Sequence, residues 1–171
     1  MTIDELLKDK NLKPKEKTET ISKWILDKTL SVDTLIALTE KNKDPAKATF
    51  IEALEYATKQ NPMVANEAVL IFVTNSLTEK SARIKWESAK VIGNIAYLFP
   101  TKLDNTINNL LINTAHEGTV VRWSAAFALG EILKLNTIHN KYLLSALENI
   151  CEKEEKNSIK KIYLNAIKKS K

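Results

Sequence analysis

Cysteine, histidine, glycine and proline are all scarce in this chain, which has one, two, three and four of them among 171 residues. Cys151 alone cannot form an internal disulfide, and with only His116 and His139 beside it no group has the spacing of a zinc site. No apolar run reaches the ~20 residues that a membrane span requires, and the first residues are acidic where a secretory leader is basic. We therefore expect a cytoplasmic protein that holds no metal or cofactor and crosses no membrane.

The residue patterns that accompany catalysis are missing as well. The sequence contains no glycine-rich phosphate loop, no His-Glu-x-x-His motif and no serine elbow. The two histidines fall at predicted helix ends rather than beside a cysteine, a serine or a carboxylate cluster. We expect no catalytic residues, and therefore a protein that is not an enzyme.

Strong basicity, which would favour nucleic acid as a partner, is confined to one end of the chain. The net charge is +5, but six lysines and no acids follow residue 155, so the remainder carries −1. Arginine, the preferred ligand of phosphates and guanine edges, occurs only as Arg83 and Arg122. The lysine-rich end is interpreted first as a solvated terminal helix, with a nucleic-acid-binding helix as the alternative.

The few prolines and glycines mark the ends of helices. Asp44-Pro45 and Asn61-Pro62 each place a capping side chain before a proline at the first helical position, and Gly118 is typical of a helix end. Asn-Gly and Asp-Gly turns and strict apolar-polar alternation are absent, so no sheet is predicted. Apolar residues recur at helical spacing and predict helices over 4–9, 15–29, 32–41, 45–59, 63–77, 80–98, 101–115, 119–135, 138–152 and 156–169.

A repeat with a period of 37 residues organises these helices: residues 85–95 match residues 122–132, and weaker copies lie around 48–56 and 159–167. This period suits two helices of about fifteen residues, which bury their apolar faces only by stacking on neighbouring pairs. We predict an all-α solenoid of about four helical hairpins over 31–171, preceded by an N-terminal helical cap over 1–30. The whole chain, 1–171, is predicted to be one domain.

The segment from Val121 to Gly130, with its small alanines and its Leu129-Gly130 pair, resembles the second helix of HEAT repeats, especially the short bacterial and archaeal kind. The resemblance covers residues 80–134. It implies a HEAT-like solenoid in which the second helix of each hairpin lines a concave surface. Small residues suit such helices because they allow close approach between neighbours.

A helical wheel of 119–135 places a core stripe on one side and an aromatic and basic stripe on the other, and the same division recurs one period earlier. The predicted binding residues on the concave face are Trp86, Lys90, Tyr97, Arg122, Trp123, Phe127 and Lys134. Exposed aromatic side chains are frequent anchors for a partner. Since Trp86 and Trp123 occupy equivalent positions, the alternative is that they seal the repeat interface, by stacking on each other or on the adjacent helix.

Two functions remain open for such a solenoid. The first is a scaffold that binds another protein or a peptide through its concave face. The second is a nucleic-acid binder that uses the final helix together with Lys85, Lys90, Arg122 and Lys134. The partner and the oligomeric state are not predicted.

One group of enzymes shares the predicted architecture. Bacterial alkylpurine DNA glycosylases are HEAT-like, and Trp86, Trp123 and Arg122 resemble the residues of their cleft. Lys90 and Phe127, however, stand one turn after the tryptophans, where the chemistry of these enzymes requires an acid. The nucleic-acid alternative is therefore a relative of this kind without a recognisable catalytic aspartate.

Overall fold

The computed structural model describes residues 1–171 as ten α-helices and two short 3-10 turns, with no strand. The absence of a sheet confirms the all-helical prediction. The helices are α1 Ile3–Lys8, α2 Pro14–Leu26, α3 Val32–Lys41, α4 Ala46–Gln60, α5 Glu67–Ser76, α6 Ala82–Ile95, α7 Asp104–Asn113, α8 Thr119–Leu133, α9 Asn140–Lys153 and α10 Asn157–Ser170.

Side-chain caps define several helix starts, but not that of α4: its N-cap is Pro45 rather than the predicted Asp44, and no side chain caps it. Two further boundaries also differ from the prediction. Pro62 does not begin α5 but a 3-10 turn over Pro62–Val64, and the helix starts after Asn66, whose side chain accepts a hydrogen bond from the Val69 N–H. Gly118 does not end α7, which stops at Asn113, and instead occupies the N-cap of α8. In both cases the local signal marked a boundary correctly but assigned it to the wrong end or the wrong element.

The helices form two layers. Consecutive even-numbered helices, from α2 to α10, pack directly against one another, whereas the odd-numbered helices α3, α5, α7 and α9 lie outside them and make few contacts with each other. Because the stack is packed more closely on one side than on the other, we infer that it bends towards the even-numbered layer, which would then be the concave side. The predicted solenoid of about four hairpins with an N-terminal helical cap is confirmed.

A single apolar core runs between the two layers along the whole stack. Ile21, Phe50, Ile92, Leu129 and Tyr163, one from each even-numbered helix, are at most 1% exposed. Burying each such side chain stabilises the fold by roughly 1.5–3 kcal/mol. The core is therefore shared among the cap and the four hairpins rather than held by any one of them.

Two even-numbered helices each carry a glycine that faces the next helix of the layer. A Cβ atom added to Gly93 of α6 would lie 2.3 Å from Cε1 of the Phe127 ring on α8. At Gly130 of α8, an added Cβ would lie 3.2 Å from the Cβ of Ala166 on α10. The Phe127 ring thus fills the space that the missing side chain of Gly93 leaves, and this contact joins the two central repeats.

Replacing Gly93 by alanine should therefore destabilise the protein, although alanine is the better helix former. Overpacking of this kind costs about 1–3 kcal/mol, against a gain of roughly 1 kcal/mol in helix propensity. We expect a net loss in the free energy of unfolding, measured by urea denaturation, and a smaller change for the matched substitution Gly130→Ala. In a Phe127→Ala background the penalty should disappear, and a penalty that persists there would contradict the contact as its cause.

Candidate binding groove

The exposed face of the even-numbered layer forms an open groove, and most of the predicted site residues lie along it. Trp123 and Phe127 project from α8, with Trp123 39% exposed. Trp86 and Lys90 project from α6 and are half-buried, and Tyr97, in the 3-10 turn that follows α6, is 50% exposed. Lys134 caps the C-terminus of α8 and pairs with Glu131.

The two predicted tryptophans are held by neighbours in their own helices. The rings of Trp123 and Phe127 are stacked, with centroids 5.9 Å apart and planes inclined by 15°. The indole Nε1 of Trp86 donates a hydrogen bond to Oε1 of Glu87 at 2.9 Å. The two indoles make no aromatic contact with each other, and the aromatic side chain that reaches the neighbouring repeat is Phe127, packed over Gly93.

A buried polar cluster lies between α4 and α6 at the floor of the groove. The ammonium of Lys90 lies 3.2 Å from Glu87 and 3.9 Å from Glu55, two carboxylates whose side chains are 5% and 7% exposed. Asn94 donates hydrogen bonds across the same interface to the Thr58 hydroxyl and to the backbone carbonyl of Glu55. These contacts tie α4 to α6 and leave one lysine between two acids.

Burial raises the pKa of Glu55, and the neighbouring Glu87 adds to the effect, while Lys90, Lys59 and Asn94 lower it. The closest cation to the carboxylate of Glu55 is Lys90, whose ammonium lies 3.9 Å away. Glu52, one turn earlier on α4, is different, because it accepts hydrogen bonds from Thr18 at 3.1 Å and from Arg83 at 2.6 Å. The groove floor thus contains one carboxylate whose pKa is raised by burial, Glu55, and one that accepts two hydrogen bonds, Glu52.

Glu55→Gln should stabilise the protein at neutral pH. Because the pKa of Glu55 is raised in the folded state, this residue contributes to the stability of the fold below its ordinary pKa of 4.5. That contribution is lost as the pH rises through the folded-state pKa. The variant should therefore unfold at a higher urea concentration than wild type at pH 7, with the gain shrinking below pH 4.5. Glu52→Gln is the matched control and should instead destabilise, because it breaks an ion pair with Arg83. A loss of stability in both variants would contradict the distinction.

Arg122 is not free to bind a partner in the groove, in contrast to the expectation from the sequence. Its Nε and Nη2 donate to the two carboxylate oxygens of Glu154 at 3.1 and 3.4 Å, and its Nη1 donates to the backbone carbonyls of His116 and Glu117 at 3.0 Å. Its side chain is 18% exposed and that of Glu154 is 4% exposed. The guanidinium joins the start of α8 to two loops at the edge of the solenoid, so its role is structural.

The pKa of Glu154 is lowered overall, because burial, which raises it, is outweighed by the backbone N–H of Lys156 and by the Arg122 guanidinium. A lowered pKa means that the contribution of Glu154 to stability is present above its ordinary value of 4.5 and is lost as the pH falls through the folded-state pKa. Arg122→Ala should therefore cost about 1–3 kcal/mol at pH 7, and the difference from wild type should narrow under acidic conditions. Thermal and urea unfolding at several pH values measure this, and an unchanged stability would restore Arg122 as a candidate for the groove.

Two acids that matter for the site were missed in the sequence, and both are explained by tertiary contacts. Glu87 follows Trp86 directly and points towards α4, while Glu154 precedes α10 and is distant in sequence from its partner Arg122. Neither belongs to a motif. Only the helical position of Glu87 could have indicated its role. It lies about 100° around α6 from Trp86, on the side that faces α4 of the preceding repeat.

Three open clefts lie away from the aromatic residues of this groove. One, of about 540 Å³, is lined by residues of the α7–α8 loop and the end of α9, among them His116 and Glu117, together with Arg122. Two smaller clefts, of about 280 and 320 Å³, lie between odd-numbered helices on the outer surface. No three residues among His, Cys, Asp and Glu are grouped so that they could hold a metal ion, and none of the helices has the length and apolarity of a membrane span.

Comparison with known proteins identifies the class to which this fold belongs. Among solved structures, a designed armadillo repeat protein, YIII(Dq)4CqI, is similar to this chain, with a TM-score of 0.73 and 13% sequence identity over 99% of this chain and 81% of that one. The chain therefore has the fold of a helical repeat solenoid of the armadillo-like type. No family model and no curated protein matches the sequence, so the HEAT family that it resembles is not confirmed.

Proposed function

We propose that this protein is a scaffold that binds another protein or a peptide through the concave groove. The observation that carries the proposal is the position of Trp123, which is 39% exposed on the groove face and is held in place by the stacked Phe127 ring. A large aromatic side chain that is already ordered loses little entropy on binding and offers a wide apolar surface. Armadillo-like solenoids commonly serve as binding scaffolds, which supports the same function.

The proposal includes the whole chain as one unit, with residues 1–30 as its cap and 31–171 as its repeats. It assigns no catalytic role, because repeat solenoids are typically non-catalytic and the groove brings together structural ion pairs rather than a nucleophile and a base. A cytoplasmic location and the absence of a cofactor are part of the proposal and stay predictions.

Nucleic-acid binding is less well supported, because most of the basic residues assigned to it are engaged within the protein. Lys85 donates to the backbone carbonyl of Leu77 and to the Asn113 side chain, Lys90 pairs with Glu87, and Arg122 is held by Glu154. The lysines of α10 are the exception. Binding to phosphates would weaken steeply with salt, with log affinity falling by ~0.9 per neutralised phosphate for each unit of log salt concentration, whereas an aromatic-anchored interface would respond less.

Trp123→Ala should weaken partner binding by about 30-fold, corresponding to a hot-spot loss of roughly 2 kcal/mol. A displayed library of extended peptides, selected on the wild-type protein, supplies the probe, and fluorescence anisotropy with the selected peptide measures the affinity. The free energy of unfolding should fall by only ~0.5–1.5 kcal/mol, the value of one aromatic pair, rather than the ~3–5 kcal/mol of a core tryptophan.

Tyr142→Ala provides the matched control, because Tyr142 is 62% exposed on α9 in the outer layer. It should leave the affinity of the selected peptide unchanged. If both variants bind the peptide as wild type does, the groove is not the binding surface. If Trp123→Ala instead loses the stability of a core truncation, the indole has a structural role.

A further inference from the structure

We propose that the part of the groove between α8 and α10 binds an acidic peptide segment that combines a bulky apolar side chain with carboxylates. This proposal rests on the groove being the binding surface and adds the chemistry of the partner. The surface consists of Val120, Trp123 and Phe127 of α8 and Lys161 and Lys168 of α10, and is called here the lysine–aromatic site.

The orientation of α10 places its lysines on the groove side. Tyr163 is buried in the core, and Ile162 faces Gly130 of α8. Successive side chains of a helix point about 100° apart. Since Tyr163 points into the core and Ile162 towards α8, Lys161 points to the groove side. Lys168 lies two turns later on the same stripe, and both lysines are exposed.

The register between α8 and α10 brings Lys161 level with Phe127, and Lys168, seven residues later, level with Lys134. An added Cβ at Gly130 would lie 3.2 Å from Ala166 and 3.8 Å from Ile162, so Gly130 lies level with the middle of the turn of α10 that runs from Ile162 to Ala166. Three residues before Gly130 is Phe127, and three residues before the middle of that turn is Lys161. Since neighbouring helix axes are about 8–10 Å apart, an apolar surface and an ammonium group lie side by side.

The positive charge on this side of the groove is not compensated. The helix α10 contains no acid, and none of its lysines forms an ion pair; Lys171, which follows the helix, lies 3.8 Å from Glu148 on α9. Glu131, the acid of α8 on the groove side, already pairs with Lys134. In the half of the groove between α4 and α6, by contrast, Glu52 and Glu87 are matched by Arg83 and Lys90.

Apolar surface also continues along α8 beyond the aromatic pair. Val120, one turn before Trp123, is 50% exposed on the same stripe. A partner that placed an apolar side chain here and a carboxylate at Lys161 or Lys168 would satisfy both features. Phe127 and Lys161 are level with each other on helices about 8–10 Å apart, and an extended chain spans about 3.3 Å per residue, so the apolar side chain beside Phe127 and the carboxylate at Lys161 would be about three residues apart in the partner.

The same charges favour an acidic peptide over a nucleic acid. A nucleotide strand that followed the groove from α10 towards α4 would meet the carboxylates of Glu52, Glu55 and Glu87, whereas a short peptide need not extend that far. The two guanidinium groups of the chain, which would best grip phosphates, are engaged by Glu52 and Glu154. A short acidic segment therefore fits the charge distribution better than a long polyanion.

The test uses labelled synthetic peptides of about twelve residues, long enough to cover α8 and α10 when extended. One peptide combines glutamates with a central pair of leucines, a second replaces the leucines by serines, and a third replaces the glutamates by lysines. An oligothymidylate of similar length is the fourth probe. We expect measurable affinity only for the first, with the serine peptide at least about tenfold weaker.

The double charge reversal Lys161→Glu and Lys168→Glu should weaken the first peptide by about tenfold or more. The matched control reverses Lys10 and Lys43, which are exposed, form no ion pair and lie far from α10, and should change the affinity by less than about twofold. Stronger binding of the lysine peptide or of the oligothymidylate, or equal loss in both double variants, would overturn the proposal.

The outcome separates this proposal from the function on which it rests. If library-selected peptides are not acidic but still lose affinity in Trp123→Ala, the groove is the binding surface and the acidic chemistry is wrong. If Trp123→Ala affects no peptide, both proposals fail.

Discussion

The contact between Gly93 of α6 and the Phe127 ring of α8 is the constraint on which much of this structure depends. A solenoid has no closed core, and each hairpin is stable only because its neighbour covers it. Where Gly93 faces α8, the two backbones come close enough for the Phe127 ring to fill the gap. The same ring stacks against Trp123, so this contact also positions the exposed indole of the groove face.

The even-numbered helices are joined in two different ways along the stack. From α2 to α6 the contacts include polar ladders, in which Thr18 and Arg83 both donate to Glu52 and Asn94 reaches across to Thr58. From α6 to α10 the closest contacts are made by small and apolar residues. The polar contacts between α2 and α6 pair acidic side chains with basic ones, whereas the apolar contacts between α6 and α10 leave the lysines of α10 without partners. The charge asymmetry of the groove therefore has a structural origin.

Much of the fold was predictable because it depends on local periodicity. The predicted helix over 32–41 matches α3 in both bounds, and the repeat of 37 residues correctly paired α6 with α8. The errors at Pro62 and Gly118 arose because a cap signal identifies a boundary but not which neighbouring element it belongs to.

The chemistry of individual side chains was predictable only in part, for a physical reason. Periodicity in the sequence determines which side of a helix a residue faces, and it placed Trp123, Phe127 and Lys90 on the groove side of the stack. It does not determine which charged groups from distant segments meet, and such meetings decided that Arg122 is occupied by Glu154 and that Glu55 is buried beside Lys90. The sequence by itself determined a stacked helical solenoid, because the apolar faces have no other way to be buried. Only the tertiary structure decided which of its charges are neutralised and which remain available to a partner, because ion pairing depends on distances between helices that no local pattern contains.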